Sequence, residues 1–131
     1  MKFNSLIPEL SVSNIKKSKD FYINILGFKL EYERVEDKFA FLSLGDAQIM
    51  IEEVNGYWNT GNLEYPFGRG INFQIEVNDV EIIKENIIRS KIELFRDISL
   101  SKYECNGEVI LQKELLVQDL DGYLLRFCSE G

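Results

Sequence analysis

The chain has 131 residues, 45% of them hydrophobic and 28% charged, with only 2 prolines, a balance that excludes disorder and fits one compact domain. At this length roughly two-thirds of the unfolded surface is buried, so a core forms without staples. Fifteen basic and 22 acidic residues give a net charge of −7 with no histidine, which disfavours nucleic acid as a partner and removes the commonest metal ligand and neutral-pH base.

The opening residues MKFNSLIPELSV lack an apolar targeting core, and no apolar run approaches 18 residues, so a cytoplasmic protein without a membrane partner is expected. Cys105 and Cys128 form no ligand spacing and read as bystander thiols of a reducing compartment.

Residues 7–12 alternate, with Leu10 and Val12 apolar and Glu9 and Ser11 polar, as a strand does with one face on a core. Asn14 is a predicted N-cap for a helix carrying Ile15, Tyr22, Ile25 and Leu26, stopped by Gly27. Strands are predicted at 29–34, 39–44 and 47–53, the last two joined at Gly45-Asp46. Residues 54–70 hold Asn55, Gly56, Gly61, Asn62, Pro66 and Gly68 and read as a linker. A strand at 71–77 follows, then a helix capped by Asp79 with Val80, Ile83 and Ile87 on one side, then strands at 92–98, 109–118 and 123–128. Setting Val12-Ser13-Asn14 on Val77-Asn78-Asp79 superposes strand on strand and helix on helix. The expectation is a single α+β domain, 1–131, of two tandem βαβββ modules, about 1–55 and 70–131, joined by loop 56–69.

Phe21-Tyr22, Leu26-Gly27-Phe28, Gly68-Arg69-Gly70-Ile71-Asn72-Phe73 and Asp119-Leu120-Asp121-Gly122-Tyr123 together resemble the vicinal oxygen chelate superfamily, which contains glyoxalase I, extradiol dioxygenases and bleomycin resistance proteins. The resemblance covers nearly the whole chain. It departs at Leu120, where the family usually has proline. It implies a curved mixed-sheet cup, the glyoxalase/bleomycin resistance fold, often assembled from modules of two chains.

The family's enzymes hold a divalent metal through first-strand and last-strand residues. By resemblance those positions fall on Ile7, Asn72 and Arg126, with a fourth near residues 50–52 where Glu52 is the available carboxylate. A hydrocarbon cannot ligate and a guanidinium repels an ion, so no metal, no cofactor and no catalytic residue is expected. The segment 58–70 resembles bleomycin-resistance-type members, which implies a homodimer with ligand grooves at the subunit interface, lined by aromatic and acidic groups.

Alternation places Glu9, Ser11, Asn72, Gln74 and Glu76 on the sheet face opposite the helices, with Gln48, Met50, Glu52, Leu124 and Arg126 beside them. Trp58, Tyr57, Tyr65, Phe67 and Tyr103 read as lying in loop-like segments, with Trp58 the leading stacking platform. The expected ligand-binding set is therefore Trp58, Tyr57, Phe67, Tyr103, Glu9, Glu52, Asn72, Gln74, Glu76 and Arg126. The expected activity is sequestration, without turnover, of a cationic, ring-bearing small molecule such as a bleomycin-type antibiotic. The alternatives are a glyoxalase-like metal-dependent lyase or isomerase with Glu52 or Glu76 as base, and a regulatory or immunity-like module with a closed cup.

Overall fold

Period-two alternation and two helix caps lay out the first half of the chain. The computed structural model describes residues 1–131. Strand β1, Glu9–Val12, leads to α1, Ile15–Asp20, whose first turn is capped by the Asn14 side chain accepting the Lys17 N–H at 3.0 Å. A π-helical turn, Phe21–Ile25, prolongs α1. Its wider turn lets two consecutive aromatics, Phe21 and Tyr22, both be buried, each contributing about 1.5–3 kcal/mol by leaving water. Gly27, at φ 88°, takes the left-handed backbone that ends the helix. Strands β2 (Lys29–Arg34), β3 (Phe39–Leu44) and β4 (Ala47–Glu53) follow, at the positions the sequence predicts.

The sheet order is β1-β4-β3-β2, with β1 parallel to β4 and the other pairs antiparallel. Paired residues share a face. Leu10, Val12, Ala40, Leu42, Ile49 and Ile51 form the buried face. Glu9, Ser11, Met50, Glu52, Phe39, Phe41, Ser43, Tyr32 and Arg34 share the other.

The second half repeats the plan. Strand β5, Asn72–Glu76, precedes α2, Val80–Arg89, capped by Asp79 accepting the Glu81 N–H at 2.9 Å. Val80, Ile83 and Ile87 are its buried stripe, at the spacing of one helix face. Strands β6 (Arg96–Cys105), β7 (Glu108–Gln118) and β8 (Leu124–Glu130) complete a sheet of order β5-β8-β7-β6. Ile75, Leu115, Val117, Leu125 and Phe127 are buried on one face. Asn72, Gln74, Glu76, Gln112, Glu114, Leu116 and Arg126 share the other.

Two expectations need correction. The strand predicted at 92–98 begins at Arg96 and runs to Cys105. Lys91, at φ 60°, and the Ile92 N–H bonded to Ile87 O close the helix instead, and an irregularity between Arg96 and Ser99 breaks the alternation that would have marked the true start. Tyr103, expected in a loop, consequently lies within β6.

The chain forms two units, residues 1–67 with 120–122 and residues 68–119 with 123–131. In the first, the turn residue Asp121 accepts hydrogen bonds from the Ser13 backbone N–H and hydroxyl. Gly122 stands at φ 95°, and a Cβ there would meet Pro66 Cα at 2.5 Å. Only glycine satisfies both constraints. No helix is long and apolar enough to cross a membrane.

Candidate functional site

In the first unit the acidic and aromatic residues meet on the sheet face opposite the one that carries Leu10, Leu42 and Ile51. Glu9 and Glu52 lie there on adjacent parallel strands, Glu9 opposite Met50 and Glu52 opposite Ser11. Glu52 Oε1 accepts from the Trp58 indole Nε1 and from Asn55 Nδ2, both at 3.2 Å. Asn55 Oδ1 also takes the Tyr57 N–H at 2.9 Å, so one carboxylate and one amide shape the loop that presents the rings. Tyr57 packs edge-on to Trp58 at 4.6 Å, and the two are 77% and 58% exposed. Such exposure leaves area for a flat partner.

Glu9 is half-buried and has no hydrogen-bond donor. Burial pushes its pKa above the ordinary carboxylate value, Glu52 adds to the rise, and Arg34 opposes it. A charge placed this way gains from an incoming cation. Beside Glu52 a cavity of about 320 Å³ is lined by Glu36, Asp37, Lys38, Glu53, Val54 and Asn55.

Sequence reasoning missed the aromatic wall on the same face. Tyr32 stacks on Phe41 (5.2 Å, 14° between planes) and lies 5.9 Å from Phe39, while Phe3 meets Phe41 edge-on at 5.4 Å. The Arg34 guanidinium sits 3.9 Å over the Phe39 ring. The available signal was β3 itself, whose Phe-Ala-Phe-Leu run is apolar at every position. Such a run belongs to a strand covered on both faces.

In the second unit the polar residues satisfy one another. Arg126 donates from Nη2 to Gln74 Oε1 at 2.7 Å, and its Nη1 lies 3.4 Å from Glu114 Oε2. Glu114, 5% exposed, also accepts from Tyr103 Oη at 2.5 Å and Gln112 Nε2 at 3.2 Å. Burial works against its ionisation. Hydrogen bonds from Tyr103, Ser101 and Gln112, together with Arg126, outweigh that and hold its pKa below the ordinary value. The only buried side-chain polar atom without a partner is Arg126 Nε. Burial, followed by Glu76 and Glu114, pushes the Cys128 thiol up, so it stays protonated and unreactive.

The structure thus joins Glu52, Trp58 and Tyr57 directly, with Glu9 beside them, and joins Gln74, Arg126 and Tyr103 through Glu114, which sequence reasoning did not single out. Asn72 and Glu76 are exposed on the second unit's polar face. Phe67 is half-buried and held by its backbone N–H to Asp121 O at 2.8 Å.

The positions where the resemblance puts a metal do not fit one. Ile7 offers only hydrocarbon, and on β4 Met50 stands opposite Glu9 and Glu52 opposite Ser11, so neither faces Ile7. In the second unit Asn72 pairs with Leu124, and Arg126 is already engaged. No three His, Cys, Asp or Glu side chains converge as ligands of an ion, which is short of what structural or catalytic sites use.

The Glyoxalase/Bleomycin resistance protein/Dioxygenase superfamily model matches residues 3–127, and the chain belongs to that superfamily. Lactoylglutathione lyases from serogroup A and serogroup B strains of Neisseria meningitidis are each 29% identical over 126 residues, covering 92% of this chain and 86% of theirs. TioX from Micromonospora sp. ML1 shares 16% identity over 98% of this chain and 100% of its own, with a TM-score of 0.71. A glyoxalase/bleomycin resistance protein/dioxygenase from Alicyclobacillus acidocaldarius shares 19% over 97% and 91%, with a TM-score of 0.66. At these identities the two solved structures show the fold alone.

Proposed function

We propose that the protein binds and sequesters a cationic, ring-bearing small molecule of the bleomycin type without turning it over. The observation that carries this reading is the use of Glu52. The one carboxylate near the resemblance's ion-holding positions in the first unit is hydrogen-bonded to an indole and an amide, an arrangement that positions a stacking surface beside negative charge. A cation about 6 Å from one such carboxylate gains roughly 3 kcal/mol at an effective dielectric near 20, before desolvation. Ring stacking adds about 0.5–1.5 kcal/mol beyond area burial. The net charge of −7 steers cations toward the protein. The reading includes a homodimer, the resemblance's usual assembly, in the cytoplasm.

Titration calorimetry with metal-free bleomycin, on the wild type and Trp58→Ala, tests the proposal. Saturable binding at micromolar ligand that weakens in the variant is expected. No heat with either protein rejects the drug class.

The similarity to two lactoylglutathione lyases favours a second reading, a metal-dependent lyase or isomerase acting on a small oxygenated substrate. Turnover of lactoylglutathione that a chelator abolishes would establish it over sequestration.

A further inference from the structure

Arg34 caps an aromatic face of the first sheet with a cation. It ends β2, an edge strand, directly opposite Phe39 in the register, with its guanidinium carbon 3.9 Å from that ring's centre and 6.0 Å from that of Tyr32. Phe39 is only 2% exposed, so this aromatic face is already covered. A guanidinium over a ring is a cation–π contact of the kind that selects planar cations.

The cover is lightly fastened. The Arg34 side chain is 51% exposed, and its one ion pair, Nε to Asp37 Oδ2 at 3.2 Å, involves a carboxylate that is 62% exposed. Exposed pairs of this sort contribute little. Of the carboxylates near it, Glu53 is paired with Lys38 at 2.9 Å, whereas Glu9 and Glu52 have no ion pair. Glu9 has no donor and feels Arg34 as its only opposing cation, and Glu52 is met by the neutral donors Trp58 and Asn55. Asp37 and Glu52 also line the neighbouring cavity of about 320 Å³, with Glu36, Lys38 and Glu53.

We propose that the face formed by Phe39 and Tyr32 is a planar-cation site that Arg34 fills with its own guanidinium and vacates when the flat, positively charged ring of a ligand enters. The proposal rests on the sequestration reading and places its ligand. Removing the resident guanidinium eliminates a competitor for the ring face and a like charge beside the incoming cation.

The test is a fluorescence titration with proflavine, a planar tricyclic cation, on the full chain as wild type, Arg34→Ala and Arg34→Ala/Glu9→Gln, with circular dichroism confirming the fold of each. Arg34→Ala should bind about fivefold tighter than wild type, the scale of one exposed cation–π contact, and adding Glu9→Gln should reverse most of that gain. Equal or weaker binding by a folded Arg34→Ala protein overturns the proposal, as does a gain that Glu9→Gln leaves intact. Bleomycin binding that depends on Trp58, with no effect of Arg34→Ala on proflavine, rejects only this inference. Absence of binding by both ligands rejects the sequestration reading with it.

Discussion

The two units share strand order and helix position, yet they treat a carboxylate on the same sheet face in opposite ways. In the first, Glu9 has no donor and Glu52 has only neutral ones. In the second, Glu114 is nearly fully buried, receives a hydrogen bond from Tyr103, and faces Arg126 across 3.4 Å. An acid that the protein itself pairs and buries is part of the structure, whereas one without an ion pair is open to a ligand's cation. The repeat therefore provides an internal control, in which the same change made in each unit should have different consequences.

The largest expected contrast is in stability. Glu114→Ala leaves the half-buried Arg126 without its anion, which should cost about 2–3 kcal/mol by analogy with broken buried pairs. Glu52→Ala should cost less than about 0.5 kcal/mol, since it removes contacts to exposed groups. Urea denaturation of both variants measures the difference, and equal losses would erase the distinction between the units.

Next comes affinity. Trp58→Ala should weaken bleomycin about tenfold through lost stacking and contact area, while Tyr103→Phe, which only removes a hydroxyl from the second unit's network, should leave affinity within about twofold. Calorimetry on the pair reads both.

A smaller and more diagnostic effect concerns pH. Burial and Glu52 raise the pKa of Glu9, so its ionisation disfavours the folded state. The stability it contributes is present below its unfolded pKa and is lost as pH rises through the folded one. Glu114 is lowered. Its contribution is present above the unfolded pKa and is lost as pH falls through the folded one. Glu9→Gln should accordingly flatten the loss on the rising side, and Glu114→Gln the loss on the acid side, in denaturation curves collected across pH. Cation binding should weaken as acid protonates Glu9, and that dependence should shrink in Glu9→Gln.

Much of the fold is legible in the amino-acid sequence because its signals are local. Asn14 and Asp79 cap helices with their own side chains, and alternation marks β2 and β5. The β6 start is illegible because a register irregularity between Arg96 and Ser99 destroys the period on which such reading depends. For the site, the faces of Glu9, Glu52, Gln74 and Arg126 follow from alternation alone. Glu114 and the Tyr32–Phe39–Phe41 wall do not, since a partner across a sheet is set by strand register, a non-local property. Trp58 is legible as a loop aromatic, but its bond to Glu52 depends on the loop's path.

Reading the protein as a binder rests above all on Glu52 serving an indole and an amide where an ion would need it. Elemental analysis of the protein purified without chelator and then dialysed against zinc, nickel and manganese probes this without intermediaries. Far less than one divalent ion per chain is expected. An ion bound at one per chain, and lost in Glu52→Gln, would show that the carboxylate holds a metal after all.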